Sequence, residues 1–212
     1  MTPAPPDTPP AAGAAGALNP TSSSSPTLTP VPLSLILADF PLSIGATWVY
    51  SAEITYQNPE ASDQLASWTG LITDTVMAEN RTADGNLIFS MQEDMEPGPP
   101  PSVWRKPGTY EYIVSGDGVF DGDNKIYQWP LADQVTWEAM PDLGYVMNVN
   151  FMGNVVTPYG ELKGCYQFFL ATHPDASIYT FCPGTGFMEY YYQHFGTPQV
   201  EHFLLVAYIP GR

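Results

Sequence analysis

Few residues in this chain are of types that do chemistry. Its three histidines are His173, His194 and His202. His194 and His202 fall in successive strand-like segments, with Glu189 and Glu201 close by in sequence. Two imidazoles and a carboxylate meeting across a hairpin would make a zinc site. Two rim histidines on neighbouring strands is the simpler reading. Asp117, Asp121, Asp123 and Asn124 form an acidic, Gly-rich stretch, and carboxylates at alternate positions can wrap Ca²⁺. The order of an EF-hand fails here, because Gly does not hold its sixth place and no Glu closes the loop. A solvated turn is therefore expected. Glu93, Asp94 and Glu96 read as a second wet loop. A glycosidase would need two carboxylates at a fixed separation, but with 22 acidic residues some pair always fits, so that pattern selects nothing.

Gly-x-Ser-x-Gly, His-Glu-x-x-His and the Gly-rich phosphate loop do not occur in the sequence. The expectation is a protein that is not an enzyme, with no catalytic residues, no metal and no cofactor. The two cysteines, Cys165 and Cys182, have no second ligand at zinc spacing. In a Lys-poor, β-rich chain two such thiols point to one structural disulfide and an oxidising compartment.

The surface narrows the partners. The net charge is −16, which a nucleic acid or an anionic membrane would repel. Charged residues make up 13% of the chain, about half the usual share. Polarity comes instead from Ser, Thr, Asn, Gln and Tyr, as in many exported proteins. No stretch reaches membrane-spanning length, and the residues after Met1 carry no export-signal pattern.

The elements that must position these residues are strands. Residues 1–32 are Pro, Ala, Ser, Thr and Gly with almost no large apolar side chain. Such a segment buries too little to offset its ordering entropy, so a disordered tether is expected there. Residues 33–212 read as one antiparallel β domain. From Trp48 the chain alternates, with Trp48, Tyr50, Ala52, Ile54 and Tyr56 on one face and polar residues on the other. Asp84-Gly85 marks a hairpin, and Pro97-Gly-Pro-Pro-Pro101 breaks regular structure. A loop is expected from Val119 to Ile126, and only Leu33–Ala38 suggests a helical turn. Near the end, two strand-like segments flank Pro183-Gly184-Thr185-Gly186, where Pro and Gly suit a tight reversal.

Phe40-Pro-Leu, Gly45 and Trp48-Val-Tyr50 open the domain. Thr157-Pro-Tyr-Gly160 with Gly164-Cys-Tyr166, and Phe181-Cys-Pro-Gly-Thr-Gly-Phe-Met-Glu-Tyr190, follow in order. Together they resemble an uncharacterised group of bacterial exported and lipid-anchored β-domain proteins. The resemblance covers residues 40–209 and implies an exported or cell-envelope β domain without known catalytic residues.

The fold expected is all-β, a single curved antiparallel sheet arranged as a sandwich, barrel or half-barrel. The last strands are apolar on both faces, so one face needs cover from the Leu33–Phe40 segment, a second sheet, a ligand or a partner. The expected role is a non-enzymatic binding or interaction module of the bacterial cell envelope, with an envelope protein as partner. One alternative is a carrier of an apolar small molecule in an aromatic-lined half-barrel, with Met188, Tyr190 and Tyr192 as ligand-binding residues. The other is a hydrolase built on carboxylates or a His-based metal site.

Overall fold

The computed structural model describes residues 31–61, 63–196 and 198–212. The tether expected over residues 1–32 lies, up to residue 30, outside the described residues. A short helix, α1 (Leu33–Asp39), leads into a succession of strands. These are β1 (Thr47–Gln57), β2 (Leu65–Arg81), β3 (Leu87–Glu96), β4 (Gly108–Ser115), β5 (Gly118–Asp121) and β6 (Asn124–Gln128). They continue with β7 (Thr136–Met140), β8 (Tyr145–Thr157), β9 (Gly160–Ala171), β10 (Asp175–Cys182), β11 (Gly186–His194) and β12 (Gln199–Ile209). A 3-10 turn, Pro141–Leu143, joins β7 to β8. No helix among the described residues is long and apolar enough to cross a membrane.

All 12 strands form one antiparallel sheet, in the order β6-β5-β4-β3-β2-β1-β12-β11-β10-β9-β8-β7. Two meanders are thus joined where the first strand pairs with the last, with Trp48 opposite Tyr208 and Ile54 opposite Glu201. The sheet curls until its outer strands β6 and β7 meet, and the barrel is nearly closed. A side chain bridges the seam, where Trp137 Nε1 donates to the Lys125 carbonyl at 2.8 Å. Of the three arrangements the sequence allows, this is the barrel.

Alternation explains most of the strands. In β1, Trp48, Ala52, Ile54 and Tyr56 are buried while Ser51 and Glu53 are exposed, as a sheet with one covered face requires. In β3, Leu87, Phe89, Met91 and Met95 point inward in the same way. Two expectations are corrected. The stretch after Val119 is the β5–β6 hairpin, with Val119 opposite Tyr127 and both fully buried. The acidic run Glu93–Glu96 is the end of β3, and Glu93 faces the interior at 4% exposure. Period-two alternation carries straight through these residues, and their charge hid it.

The interior has two apolar clusters. The larger is plugged by α1, whose Ile36 is fully buried, and by Phe40 just after it. The Phe40 ring lies 5.6 Å from Phe181, 5.5 Å from Phe187 and 5.8 Å from Tyr127. Polar links fix the plug: Tyr127 donates its hydroxyl to Asp39 Oδ2 at 2.8 Å, and the Gly184 N–H donates to the Asp39 carbonyl at 2.8 Å. The Leu33–Phe40 segment therefore covers one apolar face of the C-terminal strands from within. Their other face, with Tyr191, Leu204 and Val206, turns outward and is half-buried. The smaller cluster joins Ile54, Trp68, Ile72, Met95 and Phe203 to Val103, from the segment between β3 and β4.

Cys165 and Cys182 are bonded across the neighbouring strands β9 and β10, with an S–S distance of 2.03 Å and both residues fully buried. The turn after Cys182 reverses the chain as its composition suggests. Gly184 and Gly186 take φ of +80° and +98°, angles that favour glycine.

Candidate functional site

Between the two apolar clusters the barrel interior is polar, and strand parity explains how. The inward series of β2 runs Trp68, Gly70, Ile72, Asp74, Val76, and that of β3 runs Leu87, Phe89, Met91, Glu93, Met95. In β12 it runs Gln199, Glu201, Phe203, Leu205. Each strand therefore seats one carboxylate at an inward position. The segment after β3 answers them with a cation. Trp68 Nε1 donates to the Pro97 carbonyl at 3.0 Å, Val103 is buried in the smaller cluster, and Arg105 is carried inward between them.

Arg105 holds Glu93 with both arms of its fork. Its Nε donates to Glu93 Oε1 at 3.1 Å, and its Nη2 donates to Oε2. Nη1 lies 3.8 Å from Glu201 Oε2, and the guanidinium sits 4.9 Å from the Phe203 ring centre. Burial works against the guanidinium charge, but the attraction of Glu93 outweighs it and keeps Arg105 firmly protonated. Burial pushes the Glu201 carboxyl up, with Arg105 opposing. Glu201 also accepts a bond from Gln199 Nε2 at 2.6 Å.

Beside this network lies a cavity of about 420 Å³. Five tyrosines line it: Tyr50 from β1, Tyr110 and Tyr112 from β4, Tyr179 from β10 and Tyr190 from β11. Asp74, Glu93, Arg105 and Asp121 share the same walls. The exposed segment Lys106–Thr109 forms a rim open to solvent. Phe187 lines the inner end and touches the Phe40 plug. The rings brace one another, with centres 5.1 Å apart for Tyr110 and Tyr112 and 5.0 Å for Tyr179 and Tyr190. Tyr50 donates its hydroxyl to the Phe187 carbonyl at 3.1 Å.

Asp74 is the most perturbed carboxyl in this cavity. Burial, aided by the neighbouring Glu93 charge, pushes it up to about 7, against the opposing pull of Arg105 and a bond from Tyr110. Its Oδ1 is buried without a hydrogen-bond partner. Burial also raises Asp121, at the end of β5. A concave chamber that combines aromatic rings with convergent polar groups has the make-up of a small-molecule site.

The residues singled out from sequence are distributed as follows. Tyr190 lines the cavity, and Tyr192 stacks on it with ring centres 6.4 Å apart. Met188 is fully buried in the larger cluster. The pairing of Phe181 with Phe187 and of Thr180 with Glu189 leaves Met188 as the extra residue of a β-bulge. The bulge resets parity, so Phe187 and Tyr190 face the same chamber although their spacing is odd. His194 and His202 do not converge. His194 pairs with Asp175, while His202 Nε2 lies 2.9 Å from Glu189 Oε1. No group of three metal-binding side chains occurs among the described residues. Asp117 binds Lys125 and Ser115 at the hairpin surface.

Asp74, Glu93, Arg105 and Tyr50 were not foreseen as site residues. A usable signal existed, since each carboxylate interrupts an apolar alternating series at an inward position. Arg105 had none, because it lies in a Pro-rich segment without periodicity.

No family model matches the chain, and no curated protein matches it. Among solved structures it is similar to a proposed exported protein with a YmcC-like fold from Bacteroides fragilis NCTC 9343. That match has 12% identity and a TM-score of 0.44, covering 81% of this chain and 98% of the other. A proposed lipoprotein from Parabacteroides distasonis ATCC 8503 matches at 10% identity and a TM-score of 0.44, covering 79% of this chain and 96% of the other. MucB matches at 9% identity and a TM-score of 0.33, covering 84% of this chain and 56% of that one. Likenesses this distant transfer neither a function nor a compartment to the chain.

Proposed function

We propose that this protein is a non-enzymatic binding module of the cell envelope that holds a small molecule inside its barrel. The observation that carries the reading is the chamber of about 420 Å³ whose walls combine five tyrosines with an ordered charge network. A barrel built only to present an outer surface would fill this space with side chains, as the two flanking clusters do. The disulfide between Cys165 and Cys182 supports an oxidising compartment. The ligand is amphipathic rather than purely apolar, since Asp74, Glu93, Arg105 and Asp121 share the chamber with the rings.

The test uses Nile red, a neutral dye whose emission brightens in apolar surroundings. Saturable binding to the folded protein is expected, and Tyr190→Asp should abolish it while the protein still melts cooperatively. Absence of saturable binding would overturn the reading. So would loss of folding in Tyr190→Asp, which would show that Tyr190 belongs to a filled core.

A further inference from the structure

The charges of the chamber do not balance. Arg105 is committed to Glu93 through two bonds and leans toward Glu201. Lys106, the other cation on the lining, turns its ammonium to the Pro100 and Pro101 carbonyls at 2.9 and 3.1 Å. Asp74 on β2 and Asp121 on β5 remain, and neither joins an ion pair among the described residues. Asp74 is also the group whose buried Oδ1 lacks any hydrogen-bond partner. A buried acceptor left unmet is costly, and native interiors seldom leave one so without a reason.

The missing partner is defined by its surroundings. An anion entering here would meet two unpaired carboxyls and find the guanidinium already occupied. A neutral molecule can pack against the rings but leaves Asp74 without a partner. A cation would gain twice, from the carboxylate and from the tyrosine faces, which attract positive charge. Tyr50, Tyr110 and Tyr112 share the lining with Asp74, while Phe187, Tyr179 and Tyr190 give an apolar body rings to pack on.

Resting on the binding reading above, we propose that the chamber takes a small organic cation, a protonated amine joined to an aromatic or short aliphatic body. Its ammonium meets Asp74, and its body lies against Tyr179, Phe187 and Tyr190. Arg105 acts as a positioning residue. By neutralising Glu93 it leaves Asp74 as the carboxylate free to pair with the ligand.

The experiment compares three probes of one shape, 2-phenylethylamine, 2-phenylethanol and phenylacetate, by calorimetric titration of the full chain at pH 8. The amine should bind at least tenfold more tightly than the alcohol, and the acid more weakly than either. Asp74→Asn should bring amine and alcohol to equal affinity. Equal affinities in the unaltered protein overturn the proposal without recourse to any variant, and so does an amine preference that survives Asp74→Asn. If Nile red binds saturably and the amine has no advantage, the cation falls and the binding chamber stands. If neither dye nor amine binds, both fall together.

Discussion

Trp48 of β1 and Thr185 of the β10–β11 turn are joined by a hydrogen bond of 2.6 Å from the indole Nε1 to the Thr185 carbonyl. The two strands they belong to are not neighbours, because β12 lies between them. The bond therefore ties the opening of the sheet to the β10–β11 turn over the intervening strand β12. Thr185 is itself 8% exposed, so its carbonyl has little water to fall back on. Trp48→Phe keeps a ring but removes the donor, and a loss of about 1–3 kcal/mol is expected from the stranded carbonyl. Trp48→Ala empties the site and should lose about 3–5 kcal/mol. Urea melts of both variants measure the difference, and a Trp48→Phe variant as stable as the unaltered protein would mean that the bond contributes nothing beyond the packing.

The second prediction concerns pH. The Asp74 carboxyl stands at about 7 in the folded chain against 3.8 as a free side chain. Between these values the folded state binds a proton that the unfolded state has released, so stability falls as pH rises through this window. The penalty is complete above neutral pH and amounts to at most about 4 kcal/mol. Asp74→Asn should therefore stabilise the protein at pH 8 and change little at pH 4. Melting temperatures at the two pH values check the sign, and a variant destabilised equally at both contradicts it.

Removing Glu93 is expected to destabilise the protein. It is the principal partner of Arg105, and the two share a doubly hydrogen-bonded pair inside the barrel. Glu93→Ala leaves the guanidinium without its main partner and should cost about 3–5 kcal/mol. Replacing both members with Glu93→Leu and Arg105→Met should recover part of that loss, because neither member is then left unpaired, although Glu201 loses the cation 3.8 Å away. A double-mutant cycle by denaturant melts reads the coupling directly.

The disulfide gives a fourth test. Cys165 and Cys182 are 17 residues apart, and closing such a loop is worth about 3 kcal/mol on the chain-entropy model. The double change Cys165→Ala and Cys182→Ala should lower stability by about that amount. Thiol counting on the unreduced, denatured protein should find no free thiol.

The barrel was more legible in the sequence than the chamber inside it. Trp48, Ala52, Ile54 and Tyr56 alternate with polar residues, and their side chains turn inward as that pattern requires. The Cys165–Cys182 pair and the Gly184–Gly186 turn were also readable, since each follows from local chemistry. The chamber depends on residues far apart in sequence. Glu93 looked like part of a wet loop because its partner Arg105 lies across a Pro-rich break. Met188 and Tyr190 were grouped by alternation, and both lie inside, but the bulge that sets Met188 into the larger cluster leaves no mark in the sequence. Charge on an inward strand position reads as exposure until the countercharge is located, and only the fold locates it.

The seam between β6 and β7 bears on how the chamber fills. A barrel closed all round by backbone pairing has its diameter set by strand number and stagger. Here the two outermost strands meet through contacts such as Trp137 with the Lys125 carbonyl. The perimeter is thus not fixed by register, and the wall can widen by parting one line of side chains while every backbone pair stays intact. Ile126, on the lining, stands on β6 at that line, and Asp121, also on the lining, ends β5 beside it. On the proposed binding reading, guests of unequal girth are accommodated by elasticity of the circumference, with the strand pairing unbroken.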